Sequence, residues 1–158
     1  MTRDIRFGWP MATNRINSLP SANRNGRPHH GIDFRASSGT PVYAIADGTI
    51  QATGTMNGYG RYIDVCLDPM KDGSQVYQRV AHLSSVAPGI TTGTRVVQGQ
   101  LIGYTGDSGV GSGPHLHMEL LNRPNPDRGA LGIQHRVDPT TIYGNINVGE
   151  TYYGNSAH

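Results

Sequence analysis

Glycine interrupts this chain 22 times in 158 residues, and proline ten times more. Glycine opens backbone conformations closed to other residues and weakens helices, while proline fixes φ and removes a hydrogen-bond donor. The runs between them are short, which excludes a helix bundle and favours many short strands joined by turns. Those runs alternate apolar and polar residues, the period of a strand with one buried face. PVYAIADGTIQAT alternates about Asp47-Gly48, a pair that favours a tight hairpin. RYIDVCLD and QVYQRVAHL flank the polar PMKDGS and predict a second strand pair. GTRVVQGQLIGYTG predicts two short strands, and PHLHMELL a further one, stopped by NRPNPDRG. VDPTTIYG allows one helical turn, capped by Asp138 with Pro139 at its first position. The predicted class is all-β, mainly antiparallel, with little helix. NINVGETYYGNSAH is polar and aperiodic, so residues 144–158 are expected to form a tail or linker after a single domain over 1–143.

Composition removes several function classes. Charged residues make up 15% of the chain, the net charge is +2, and almost all the positive charge is arginine, with no basic run to mark a nucleic-acid site. The single cysteine, Cys66, excludes an internal disulfide and a thiolate zinc site; alternation with Ile63 and Val65 predicts a buried strand thiol. No stretch approaches the ~18 apolar residues of a membrane span, and MTRDIRFGWPM has no hydrophobic region of signal-peptide length.

Three histidine clusters stand out. In GSGPHLHMEL, His115 and His117 leave one face of the predicted strand while Leu116 and Met118 occupy the other. Paired imidazoles suit metal binding or proton transfer; half-exposed structural histidines are the alternative. In RPHHGIDFRA, a strand would place His29, Gly31 and Asp33 on one face and His30 on the other. His29 and Asp33 form half of a divalent-metal site, which one histidine of HLH completes while a fourth position stays open to water. The alternative is that Asp33 binds nearby backbone and His29 is a surface residue. His82, in RVAHLSS, ends a predicted strand and taken alone is structural, while His135 and His158 are expected in solvent. GDSG at 106–109 has the look of a serine-protease nucleophile loop, but only Asp107 lies between His82 and Ser108 to serve as the acid. Ser108 is better explained as a turn residue.

In order along the chain, HHGID, AHLSS and GPHLHMEL resemble the lysostaphin-type (LytM-like) zinc endopeptidases of bacterial cell walls. GTPVYAIADGTI, NGYGRYIDV, VVQGQLIGYTGDSG and VDPTTIY resemble that family's framework, and FGWPM resembles its usual opening, so the likeness spans residues 7–143. It implies a LytM-like catalytic domain whose long loops, among them GDSGVGSG and NRNGRP, frame a groove. It also implies one Zn2+ ion held by His29, Asp33 and His117, with His115 and His82 lining the open side of the metal as catalytic residues. His30 stands where the family varies. Val80 replaces a tyrosine often found two residues before the histidine of HLS, with Tyr77 further back, which removes no ligand; DPMKDGSQ lengthens a peripheral turn.

The activity implied is hydrolysis of peptide crosslinks or stem peptides of peptidoglycan by a metal-activated water. The alternative is a non-catalytic or latent LytM-like module that binds cell wall or activates a partner hydrolase. The implied partner is the peptidoglycan peptide, with no nucleic acid, no membrane insertion and a monomeric chain. A periplasmic or extracellular location follows, the chain being an excised domain, a mature form or a phage-released enzyme.

Overall fold

Strand alternation and glycine breaks translate into twelve strands and one helical turn among the described residues. The computed structural model describes residues 7–24, 27–29, 31–56, 58–70, 72–106, 114–123 and 136–154, with backbone alone described over 21–24 and 27–29. The strands are β1 (Thr13–Ser18), β2 (Ser21–Arg24), β3 (Arg27–His29), β4 (Ile32–Arg35), β5 (Pro41–Tyr43) and β6 (Gly48–Met56), then β7 (Gly60–Leu67), β8 (Tyr77–Val86), β9 (Arg95–Val96), β10 (Leu101–Thr105), β11 (His115–Leu121) and β12 (Thr151–Tyr153). The helical turn is α1 (Thr140–Tyr143). Ten strands make one antiparallel sheet in the order β12-β1-β4-β11-β8-β7-β6-β9, with β10 joining β8 and β5, while β2 and β3 pair separately. The all-β class is borne out. Among the described residues no helix is long and apolar enough to cross a membrane.

The centre of the sheet is buried on both faces, and the two faces differ in chemistry. Leu116, Met118 and Leu120 of β11 join Ile32 and Phe34 of β4, Ile63 and Val65 of β7, and Val80 and Leu83 of β8 in one apolar core. Each such side chain contributes about 1.5–3 kcal/mol when fully buried. The intervening positions carry Asp33, Asp64, Arg79, His115, His117 and Glu119 to the opposite face. Polar chemistry therefore sits on a platform held in place by the core beneath it.

The structure departs from the sequence expectations at four places. β5 and β6 form no hairpin: β5 pairs with β10, and β6 with β7 and β9. Residues 44–46 instead cross the core, with the Ile45 N–H donating to the Gln78 Oε1 at 3.0 Å. Gly48 is needed for close approach, since a Cβ there would lie 2.4 Å from the Cys66 carbonyl oxygen. Second, the stretch read as a polar tail carries β12, which pairs with β1. Trp9 stacks between Tyr152 (4.8 Å) and Tyr143 (3.9 Å) and meets Phe34 edge-on, which ties the opening segment, α1 and β12 into one aromatic cluster. Third, Cys66 is half-buried, because the alternation that buries Val65 and Leu67 turns it away from the core. Fourth, His29 and Asp33 do not share one strand: the chain bends at Gly31 between β3 and β4, which belong to different sheets. The helical turn forms one residue later than expected, with Pro139 at its N-cap and Thr140 first, while the Asp138 Oδ1 still accepts from the Thr140 N–H at 2.9 Å.

Candidate active site

β4 and β11 run antiparallel with His117 opposite Asp33, His115 opposite Arg35 and Met118 opposite Ile32. This register brings the His117 Nδ1 to 2.7 Å from the Asp33 Oδ1, and the His115 Nε2 to 3.9 Å from the same oxygen. The second carboxylate oxygen of Asp33 accepts from the Ser18 hydroxyl at 2.9 Å. Gly31 makes the approach possible. A Cβ there would lie 2.5 Å from the Met118 carbonyl oxygen, 2.8 Å from the His117 Cε1 and 2.9 Å from the Glu119 Cγ. His29 ends β3 opposite Ser21, and its side chain lies outside the described ones. His30, Ser108, His135 and His158 also lie outside the described residues, as do residues 25–26 and 107–113 of the segments expected to border a groove.

His82 reaches this face through an irregularity in β8. Arg61 pairs with Leu83 and Ile63 with Val80, so Ala81 and His82 together oppose Tyr62. A bulge of this kind holds one extra residue and re-aims its side chain. His82 takes φ +59°, the one positive φ outside glycine among the described residues, and its N–H donates to the Tyr59 carbonyl at 2.8 Å. Val80 and Leu83 keep their places in the core on either side of it. The His82 ring centroid comes 5.0 Å from that of His115 and 5.7 Å from that of His117. The three imidazoles and Asp33 form one cluster, partly open to solvent at His115 and Asp33, whose side chains are 18% and 20% exposed.

Behind His117 lies a buried polar layer that the sequence reading did not include. The His117 Nε2 is 2.8 Å from the Glu119 Oε2. The other oxygen of Glu119 accepts from the Arg136 Nη2 at 2.8 Å and from the Tyr59 hydroxyl at 3.2 Å. Arg79 pairs through two bonds of 2.8 Å with Asp64 and lies over the rings of Tyr59 and Tyr62. Its Nη1 is buried with no hydrogen-bond partner among the described residues. Two carboxylates and two guanidinium groups balance in this layer, which a low-dielectric interior demands. Burial works against a charge on Glu119, yet the bond to His117 and the nearby His117, Arg136 and Arg79 charges hold its carboxyl well below the usual range. Burial likewise opposes a charge on His117, but its bonds to Asp33 and Glu119 outweigh this and raise it to about 9. Alternation along HLHME was a usable signal for Glu119, which falls on the face of both histidines; Arg136 and Tyr59 had no local signal.

Imidazole nitrogen and carboxylate oxygen are the donors that zinc takes in open catalytic sites. Among the described side chains no group of three metal-ligating residues converges, and the His29 side chain lies outside that description. Asp33 and His117 supply two donors of the right chemistry, with a carboxylate placed behind the imidazole. The fold and site together define a class, an antiparallel β-sheet with a histidine–aspartate centre on its polar face. The description of peptidase family M23 matches residues 27–139, and the chain belongs to that family. It is 37% identical over 99 residues to the peptidoglycan DD-endopeptidase ShyA of Vibrio cholerae, covering 63% of this chain and 21% of ShyA. A zinc-containing peptidase from Vibrio cholerae superposes with a TM-score of 0.66 and 31% identity over 81% of this chain and 41% of that one. The catalytic domain of the antimicrobial peptidase lysostaphin from Staphylococcus simulans gives 0.61 and 31% over 81% of this chain and 88% of that domain. The lysostaphin-like family and fold are borne out. The chain spans about a fifth of the length of ShyA.

Proposed function

We propose that this chain is a zinc-dependent endopeptidase that hydrolyses peptide crosslinks or stem peptides of bacterial peptidoglycan. His29, Asp33 and His117 hold one zinc ion, and His115 and His82 are the catalytic residues. The observation that carries this reading is the convergence of the His117 Nδ1 on the Asp33 carboxylate, with the His82 and His115 rings grouped beside it. When bound, zinc supplies a Lewis acid that lowers the pKa of a water towards about 7 and polarises a carbonyl. Every other task falls to side chains. Asp33 is oriented by Ser18, and Gly31 keeps β4 close to β11. His82 and His115 share the transfer of the proton from water to the leaving amine, a role suited to imidazoles, whose two ring nitrogens can accept and donate a proton. Membership of a peptidase family supports hydrolysis over the non-catalytic module, since all five positions of the family pattern are filled. A wall substrate places the protein in the periplasm or outside the cell, acting as a monomer.

The test is release of new amino groups from purified peptidoglycan sacculi of two crosslink types, using zinc-loaded protein, chelator-stripped protein and His115→Ala. The expected result is release that needs zinc and is lost in the variant, with fragment masses that name the bond. No release from either wall type by zinc-loaded protein would overturn the reading.

A further inference from the structure

We propose that Glu119 is a positioning residue that fixes the tautomer of His117, and that Tyr59 and Arg136 hold it in that task. The inference rests on the zinc reading above and extends it to a layer that touches neither metal nor substrate. A neutral imidazole carries its hydrogen on one nitrogen and a lone pair on the other. For His117 to ligate through Nδ1, the atom that faces Asp33, the hydrogen must sit on Nε2 and needs an acceptor there. The Glu119 Oε2 is that acceptor, at 2.8 Å in a site where Glu119 is 1% exposed. Carboxylates in this position raise the basicity of a ligating imidazole and set its orientation.

The partners of Glu119 make the requirement for a carboxylate specific. Oε1 faces the Arg136 Nη2, which can only donate, and the Tyr59 hydroxyl. Oε2 faces the His117 Nε2. Both oxygens must therefore accept, and only a carboxylate accepts at both ends. A glutamine of the same shape has one accepting and one donating end. Turning its NH2 towards Arg136 sets donor against donor in a buried pocket. Turning it towards His117 makes Nε2 the acceptor, moves the hydrogen to Nδ1 and blocks ligation. Arg136 is thus the group that forbids the harmless orientation. It reaches the pocket because it bridges Leu121 at the end of β11, with its side chain 3% exposed.

The experiment measures zinc affinity by competition with a chromophoric chelator for wild type, Glu119→Gln, Arg136→Met and the double variant. Thermal unfolding without metal reports whether each is folded. Glu119→Gln is expected to weaken zinc binding about 10–100-fold. The double variant is expected to recover most of that loss, because without Arg136 the amide can turn its oxygen to His117 and its NH2 to the Tyr59 hydroxyl. In zinc-loaded protein the His117 Nε2–H should give a slowly exchanging downfield proton signal that moves upfield in Glu119→Gln and returns in the double variant. A purely structural role for Glu119 predicts the reverse, a double variant no better than the single. Wild-type protein that binds no zinc would overturn the metal reading and this inference with it. Wild-type protein that binds zinc, beside a folded Glu119→Gln that binds it equally well, would overturn this inference alone. If Glu119→Gln fails to fold, Arg136→Met carries the test: loosening one oxygen of Glu119 should weaken zinc severalfold, and unchanged affinity overturns the proposal.

Discussion

His82 offers a test in which backbone geometry sets the sign of the answer. It sits at φ +59° in the bulge of β8, where a side chain with a Cβ costs about 1–2 kcal/mol relative to glycine. His82→Ala and His82→Gly both remove the ring and its neighbours' contacts, so the difference between them reports the backbone alone. In an ordinary strand, glycine is the less stable of the two by about 0.5–1 kcal/mol through its chain entropy. Here relief of the left-handed strain outweighs that entropy, and His82→Gly should be the more stable by about 0.5–1 kcal/mol. At about 2–4 °C per kcal/mol for a chain of this size, the melting temperature should differ by about 1–4 °C. Urea unfolding of the zinc-free proteins at fixed pH, with equal slopes, gives the free-energy difference directly. His82→Asn supplies an internal control, since asparagine tolerates this conformation better than alanine, and should fall at or above His82→Ala. All three should lack wall-hydrolysing activity. If His82→Ala equals or exceeds His82→Gly in stability, His82 is not held in the left-handed region, and the bulge that turns it towards His115 is wrong.

Three further outcomes follow from the same geometry. His117→Ala should abolish both zinc retention and hydrolysis, whereas His115→Ala should keep zinc and lose most activity; elemental analysis beside the sacculus assay checks the division, and equal zinc loss would refute it. Gly31→Ala should lower stability by about 1–3 kcal/mol through overpacking against β11, and weaken zinc binding as His117 shifts, as read by urea unfolding and chelator competition. Trp9→Ala should cost about 2–3 kcal/mol, less than the 3–5 of a fully buried tryptophan, because Trp9 keeps partial exposure while losing two stacked rings and an edge contact; thermal unfolding measures it, with zinc affinity nearly unchanged.

Much of this was legible in the sequence because strand alternation is local. HLHMELL alone placed Leu116 and Met118 in the core and both histidines on the far face, as β11 does. The β7–β8 pair and the α1 turn were readable for the same reason. Asp47-Gly48 misled because a glycine demanded by close approach to the Cys66 carbonyl looks the same as one demanded by a turn. The polar segment around Thr151–Tyr153 looked unstructured because an edge strand needs one partner and little apolar area, and its anchor, Trp9, lies at the other end of the chain.

The site divides along the same line. His115, His117 and Glu119 come from one period-two run, so a single strand delivers three of its groups and a core face in the same step. His82 breaks that rule: strict alternation would have sent it into the core beside Val80, and the bulge opposite Tyr62 is what returns it to the polar face. A bulge is a pairing property, absent from either strand alone, so no reading of RVAHLSS by itself could have found it. Arg136 is more distant still, a lone arginine that matters only because it bridges Leu121 and meets Glu119 in a buried pocket. Residues that hold a metal are marked by their own chemistry and spacing. The residues that aim them are marked by what they pack against, and those contacts exist only once the sheet has closed its register.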